Sequence, residues 1–352
     1  MAMRFWLTGA ALGAAIFAAA FAFTYESQAS ARTSPGSAFD TLNEGRPLVA
    51  LGNEKQCERY SGLPVRWRDD PKAGMVHLHG GAFVFGSTRG YPDERPDGGG
   101  NTRVTGFWID QHDVTIAQFA AFVAATGYVS EAEKQGGAAV FHVPTREEMN
   151  SRDLAWWSWV DGASWRHPQG PASNVEGKGN LPVTLVTLHD ALAYAHWLGR
   201  DLPTEAEWEY AGKAGHNDAS LDAAPVDDKG KPAANYWQGV FPVLNTGEDG
   251  HAGLAPVGCY AANDFRLYDM IGNAWEWTKD VYSGPHQSHT NGDTAAVAPA
   301  SRRHDTAMVI KGGSFLCSRD YCVRYRASSR EQQEADLAAS HIGFRTVLRD
   351  PA

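Results

Sequence analysis

Apolar and polar positions divide the chain into an unbroken apolar leader and a longer remainder of short, interrupted patterns. Trp6 to Phe23 is an alanine-rich run without a charged residue, preceded by Arg4 and followed by the small-x-small triplet Ala29-Ser30-Ala31. That order is the signature of an export signal, and the run is also just long enough to span a bilayer. Residues 1–31 are therefore expected to be a cleaved signal peptide or a retained anchor, which leaves membrane contact open. Residues 32–71 are mixed and turn-rich, and a loosely structured lead-in is expected there.

Beyond residue 71 the periodicity changes every few residues. "MVHLHGGAFVFGS" (75–87) alternates like a strand pair, with Gly80-Gly81 as its turn. "GFWIDQHDVT" reads as a strand leading into a helix. Thr115 and Gln118 form a capping box, and Ile116, Phe119, Phe122 and Val123 share one apolar face that stops before Gly127. A long irregular region follows, through "LAWWSWVDGASWRHPQGP". "LPVTLVTLHDALAYAHWLG" then predicts a short strand, a Thr187 cap and a helix ended by Gly199. "LPTEAEWEYAG" repeats that logic, with Thr204 as cap, Glu207 three residues on and Gly212 near the end. Short strands are expected in "VIKGGSF", "CVRYRASS" and "IGFRTVL". No internal repeat appears, so residues 72–350 predict one compact α+β domain.

Composition narrows the function. A net charge of -10 excludes a nucleic-acid surface, which needs basic patches. The 37 glycines and 12 tryptophans suit tight turns packed over large aromatic anchors. No N-x-S/T sequon occurs and the chain ends RDPA, which favours a bacterial periplasm or envelope over secretion or an ER lumen.

Four cysteines carry the candidate chemistry. Cys317 and Cys322 would lie roughly 16 Å apart on a strand, so they meet only if Ser318, Arg319 and Asp320 turn the chain back. Two facing thiolates without other ligands suit Cu(I) in linear coordination, whereas zinc would want four ligands. Spacing alone leaves an ordinary disulfide the commoner outcome in an exported protein. His77 with His79, and His189 with His196, share faces, but neither pair has a third ligand nearby, and both are rejected as metal sites.

Several segments together resemble the formylglycine-generating enzymes, the sulfatase-modifying factors. They are "FWIDQHDVTIAQFAAFVAATGYVSEAEKQG", "SWRHPQGP", "LPTEAEWEYAG", "ANYWQGVFPVLNTGEDG", "LYDMIGNAWEWTKD" and "KGGSFLCSRDYCVRYRASSR…HIGFR", in the family's order across Met75 to Leu348. The resemblance implies a variant of the C-type-lectin fold with little regular secondary structure. It implies an oxidoreductase in which Cys317 and Cys322 bind Cu(I) and a substrate cysteine thiolate joins as third ligand. With O2 and a reductant, the cysteine of a C-x-P-x-R motif in an unfolded sulfatase becomes Cα-formylglycine. Cys322 matches the position of disulfide exchange with substrate, Ser314 and Tyr321 match polar residues lining the site, and Trp275 matches the aromatic at the oxygen position. His341 departs from the family's usual Asn; if that position lines the site, the histidine would add a proton carrier or a weak extra ligand.

The same resemblance implies two Ca²⁺ loops. Asn235, Tyr236, Asp249 and His251 would form the first; Asp269, Gly272, Ala274 and Glu276 would form the second, with Tyr236, His251, Gly272 and Ala274 acting through carbonyls. Ala195, Gly212, Ala327 and Thr346 stand where animal members have disulfide cysteines. Cys57 and Cys259 are left over and could pair, although nothing in the sequence places them together. A monomer is expected. The competing reading is a noncatalytic paralogue that grips sulfatase-like peptides; such paralogues lose the cysteine pair, which this chain keeps. The iron sulfoxide synthases share the wider fold, but their H-x-x-x-H-x-E motif is absent.

Overall fold

The computed structural model describes residues 50–96, 100–284 and 307–350. The expected leader lies outside them, as does the first part of the lead-in. The described part of the lead-in is fastened down, contrary to expectation. Asn53 caps a short helix, α1 (Glu54–Arg59), by accepting from the Gln56 N–H, and Cys57 on that helix forms a disulfide with Cys259. The Cα atoms are 5.0 Å apart across a sequence separation of 202.

The alternating segment forms two strands that do not pair with each other. β1 (Met75–Leu78) and β2 (Gly81–Val84) run antiparallel to β4 (Phe107–Asp110) and β3 (Asn101–Val104), respectively. Leu78 faces Phe107 and Gly81 faces Val104, so the two ladders continue one register. Gly80-Gly81 is thus a break inside a long ribbon and not its turn. Gly80 has φ 72°, and a Cβ there would collide with the backbone of Val104 and Thr105. Glycine is required by close strand approach.

β13 (Val347–Arg349) pairs with β4, giving a sheet of order β1-β4-β13. The second sheet has order β11-β10-β9-β12, from β9 (Trp275–Val281), β10 (Ala307–Lys311), β11 (Arg330–Glu334) and β12 (Ile342–Gly343). The expected strand at "CVRYRASS" is absent, and pairing resumes only at Arg330. The side chains there serve ion pairs instead: Arg324 contacts Asp93 at 3.0 Å, and Arg326 is buried against Glu94.

Helix signals are read more faithfully. α2 (Ile116–Thr126) has the Thr115/Gln118 capping box and ends at Gly127 in the left-handed conformation; Ile116, Phe119, Phe122 and Val123 are all buried. α5 (Leu188–Trp197) starts from Thr187 reciprocally capped by Asp190, and Gly199 follows its end with φ 68°. The strand expected before it is reduced to one bridge between Pro182 and Thr115. α6 (Glu205–Lys213) has the Thr204/Glu207 box but runs through Gly212 to a left-handed Ala214. A Cβ at Gly212 would lie 3.1 Å from Ala327 Cβ and 3.2 Å from the Trp208 ring, so this glycine is a packing contact and not a stop. Of two shorter helices, α3 (Glu131–Gln135) precedes β5 (Gly137–Phe141) and α4 (Arg146–Ser151) lies in the connection to β6 (Trp157–Asp161), which pairs antiparallel with β5.

α2, α5 and the second sheet close on an aromatic core. Phe119 meets Trp165, Tyr194 and Phe344 with ring centroids 5.2, 6.0 and 6.4 Å away. Removing such a ring typically costs about 3–5 kcal/mol. The core thereby fixes β9 and the end of β10, from which the thiol-bearing segment departs. No helix among the described residues is long and apolar enough to cross a membrane.

A dithiol pocket as candidate active site

Two glycines make the first bend. Beyond β10, Gly312 and Gly313 have φ 94° and 81°, and Cβ atoms there would lie 2.9 Å from the Trp208 ring and 2.5 Å from the Arg324 carbonyl. Only glycine suits both positive φ and such close approach. The Cys317 N–H then donates to Ser314 O at 3.0 Å, and the Trp237 N–H fixes the Cys317 carbonyl at 2.9 Å. The second bend is the expected one at 318–320. Ser318 N–H donates to Cys322 O at 3.0 Å, and the Ser318 hydroxyl donates to Asp320 at 2.6 Å.

The two sulfurs stand 3.3 Å apart as free thiols. That is hydrogen-bonding contact, well beyond the bonded distance. Burial opposes ionisation of Cys317, but the hydrogen bond with Cys322, backbone contacts with Ser314 and Arg324, and the Arg324 charge hold it below the usual thiol range. Cys322 moves the other way, held up by its hydrogen bond to Cys317 and by burial. Cys317 is thus the first of the pair to ionise.

The thiols lie in a cavity of about 490 Å³ that Ser314, Tyr321 and Trp275 also line, so every predicted active-site residue is gathered in one place. Sequence reading missed most of the wall. Trp156 and Trp157 come from the stretch read as irregular, and Phe241 comes from the tip of a small hairpin, β7 (Gly239–Val240) with β8 (Leu244–Asn245). Phe241 stacks on Tyr321 with centroids 4.5 Å apart, and Trp156 meets both rings at 5.2 and 5.1 Å. The Trp-Trp doublet was the one signal available. Glu331 adds a carboxylate to the lining, 3.4 Å from Arg324.

His341 lines the same cavity, its ring centroid 4.6 Å from Trp157 and its Nδ1 buried without a partner. Burial pulls its pKa down to about 3, which favours the neutral ring at physiological pH. Its carbonyl accepts from the Trp275 N–H at 2.9 Å, which ties the ring's position to β9.

The expected calcium loops lie before β9 in the chain, the second running into its first residues. In the first, Asp249 accepts from Tyr236 N–H at 3.1 Å, His251 N–H at 3.0 Å and Gln238 at 2.8 Å, while Asn235 binds Gly253 O and Asn273. In the second, Asp269 accepts from Gly258 N–H at 2.6 Å, and burial raises its pKa to about 6. Glu276 is already engaged by two bonds to Arg345 and one from Trp208 at 2.7 Å. A carboxylate that sequence reading missed lies beside it. Asp113 is buried with neither oxygen hydrogen-bonded, and Arg345 is 3.9 Å away. Burial and the neighbouring Glu276 push its pKa up. Among the described residues no three His, Cys, Asp or Glu side chains converge on one metal position. Either loop would therefore depend on carbonyl oxygens. The rejected His77 has a different use, a 2.7 Å contact with Asp350.

Residues 61–350 match the family described as sulfatase-modifying factor enzyme 1-like domain. The chain belongs to that family. It is 44% identical to a formylglycine-generating enzyme of Mycobacterium tuberculosis, covering 79% of this chain and 98% of that protein. It is also 36% identical to the mouse protein named inactive C-alpha-formylglycine-generating enzyme 2, across 87% of this chain and 94% of that one. Among solved structures, PvdO from Pseudomonas aeruginosa superposes with a TM-score of 0.52 at 25% identity, covering 78% of this chain and 93% of that one. The fold is the family's single α+β domain, as expected.

Proposed function

We propose that this chain converts a cysteine of a sulfatase C-x-P-x-R motif to Cα-formylglycine, with Cu(I) on Cys317 and Cys322 and O2 as the acceptor. The observation that carries the reading is a pair of free thiols, 3.3 Å apart, inside an aromatic cavity. Two soft donors, with no third His, Cys, Asp or Glu converging on one metal position with them among the described residues, suit a d¹⁰ cation and leave a position for a substrate thiolate. Bound there, Cu(I) would supply binding of the substrate sulfur and reaction with O2. The substrate Cβ loses two electrons and its sulfur leaves as sulfide. O2 takes those electrons and two more from an external thiol reductant and is reduced to the level of two waters; one water is released and the oxygen of the other is taken up at Cβ as the aldehyde oxygen, while the reductant leaves as its disulfide.

This chain's own residues set the stage for that chemistry. Trp275, Trp156 and Trp157 exclude water, the Ser314 and Tyr321 hydroxyls offer hydrogen bonds, and His341 stays neutral. Cys322, the less buried of the two thiols, is the group available for disulfide exchange with substrate, which it would enter as the thiolate. A noncatalytic role, such as the name of the inactive relative gives for that protein, would need no dithiol.

Calcium at the two loops is proposed as structural. Asn235 and Asp249 would bind with the carbonyls of Tyr236 and His251; Asp269 and Glu276 would bind with those of Gly272 and Ala274. The orphaned Asp113 supports an extra cation near the second loop, because three carboxylates there face one guanidinium. Export to a bacterial envelope and action as a monomer on emerging, unfolded sulfatases complete the reading. Anaerobic Cu(I) titration of the reduced protein, then mass spectrometry of a C-x-P-x-R peptide, tests it. One equivalent of copper and loss of the peptide thiol to an aldehyde are expected; aldehyde formation without copper would reject the metal's role.

A further inference from the structure

The bridge between Cys57 and Cys259 ends in the segment that ties the two proposed calcium loops together. Cys259 stands between two donors to those loops. The Gly258 N–H donates to the Asp269 carboxylate at 2.6 Å, and the Tyr260 hydroxyl donates to the Asp249 carbonyl at 3.1 Å. Asp249 belongs to the first loop and Asp269 to the second. A little earlier, the Ala255 N–H donates to Asn273 Oδ1 at 3.0 Å, and the same oxygen accepts from Asn235 Nδ2 at 2.9 Å. Residues 255–260 thus hold both loops at once.

The second loop needs that support. Asp269 and Asn273 have φ 54° and 57°, left-handed conformations that persist only where neighbours impose them. Those neighbours are themselves covered by residues 51–60. Gly52 N–H donates to Gly258 O at 2.8 Å, Asn180 Nδ2 donates to Cys57 O at 2.8 Å, and Leu51, Cys57, Cys259 and Tyr268 form a small buried cluster. The Tyr60 hydroxyl lies 3.2 Å from His112 Nε2. α1, which carries Cys57, has six residues, well short of the roughly 12–15 at which a helix sustains itself in water. The bridge is the covalent fastener of a cover otherwise held by a few hydrogen bonds and one small cluster.

We propose that the Cys57–Cys259 bridge and calcium are thermodynamically coupled through Gly258 and Tyr260, so that the bridge raises calcium affinity at the loops and calcium protects the bridge from reduction. The inference rests on the reading of the loops as calcium sites. Reduction by a dithiol breaks the S–S bond, leaves two protein thiols and converts the reductant to its own disulfide. Without the bridge, residues 51–60 leave 258–260 uncovered more often, and water competes for the Gly258 and Tyr260 hydrogen bonds. The loops then spend less time in the arrangement that calcium needs, and binding weakens by that fraction. Linkage makes the effect reciprocal. Disulfides persist in oxidising compartments and not in reducing ones, so the chain holds calcium tightly only where the bridge can form.

Calorimetric titration of the full, copper-free chain with CaCl2 tests the coupling on the oxidised protein, on dithiothreitol-reduced protein and on Cys57→Ser/Cys259→Ser. Calcium is expected to bind the oxidised protein about tenfold more tightly than either bridge-free form, within the usual range of coupling between sites. The ratio of reduced to oxidised dithiothreitol that half-opens the bridge, read by thiol alkylation and mass spectrometry, should rise at saturating calcium. The rise should equal the product of the affinity ratios at the two loops. Tyr260→Phe keeps the bridge and removes only the hydroxyl's bond to Asp249. In its oxidised form it should bind calcium more weakly than wild type, a readout that does not depend on bridge-free protein staying folded. Equal calcium affinity with and without the bridge overturns the coupling and keeps the sites. Unchanged affinity in oxidised Tyr260→Phe also overturns it, since the route through that residue is then lost. No calcium binding by the oxidised wild type overturns the calcium reading, and the coupling falls with it.

Discussion

Arg345 meets Glu276 through Nε at 2.6 Å and Nη2 at 2.7 Å, and both side chains are shut off from solvent. Nη2 also donates to the Tyr268 carbonyl at 3.0 Å, and Asp113 lies 3.9 Å off. One guanidinium therefore balances more than one buried carboxylate and joins the segment after β12 to β9. Breaking a buried pair by removing one partner typically costs about 3–5 kcal/mol. Arg345→Ala is expected to lower stability by about that much, and Arg345→Lys by less. Chemical denaturation checks both, and an Arg345→Ala protein as stable as wild type would show that the ion pair is dispensable.

The thiols should be required singly and together. Cys317→Ser and Cys322→Ser each remove half of the proposed copper ligands, so each should abolish aldehyde formation while leaving the melting temperature near that of wild type. A disulfide between them closes so short a loop that it constrains little of the unfolded chain. Oxidised protein should thus stay folded and silent, and regain activity on reduction with Cu(I). Substantial turnover by either serine variant would remove the mechanism.

Acid sensitivity should trace in part to His112. Its Nδ1 lies 2.7 Å from the Asp113 carbonyl and its Nε2 is 3.2 Å from the Tyr60 hydroxyl, an arrangement that fits the neutral ring. Burial pulls its pKa down to about 4. The unfolded chain takes up this proton near pH 6.5 and the folded one does not, so stability is lost as pH falls from about 6.5 to 4. The full effect is on the order of 3 kcal/mol. A urea series with wild type and His112→Gln should show a shallower loss in the variant over that window; parallel curves would count against the assignment.

The Cys57–Cys259 bridge should stabilise without taking part in turnover. In the chain-entropy picture, closing so long a loop is worth about 5 kcal/mol, with 2–4 kcal/mol more usual in practice. A Cys57→Ala/Cys259→Ala protein is expected to melt several degrees lower and to retain aldehyde formation with copper. Its melting temperature should no longer respond to mild reductant.

What the chain determined locally, it announced locally. Thr115, Thr187 and Thr204 cap helices through a partner three residues away, and the 318–320 turn lies between the cysteines it brings together. Such signals need only a few residues, because a cap or turn is satisfied by hydrogen bonds within its own span. Gly80 and Gly212 carried the opposite lesson. Each looks like punctuation, yet each is required by a neighbour that only packing supplies, Val104 in one case and Ala327 with Trp208 in the other. The pairing of Cys57 with Cys259, the meeting of Trp156, Phe241 and Tyr321, and the orphaned Asp113 beside Arg345 were decided by the tertiary structure alone. Contacts across such separations depend on how the sheets and core close, and loop-closure entropy grows too slowly with length to favour one distant partner over another.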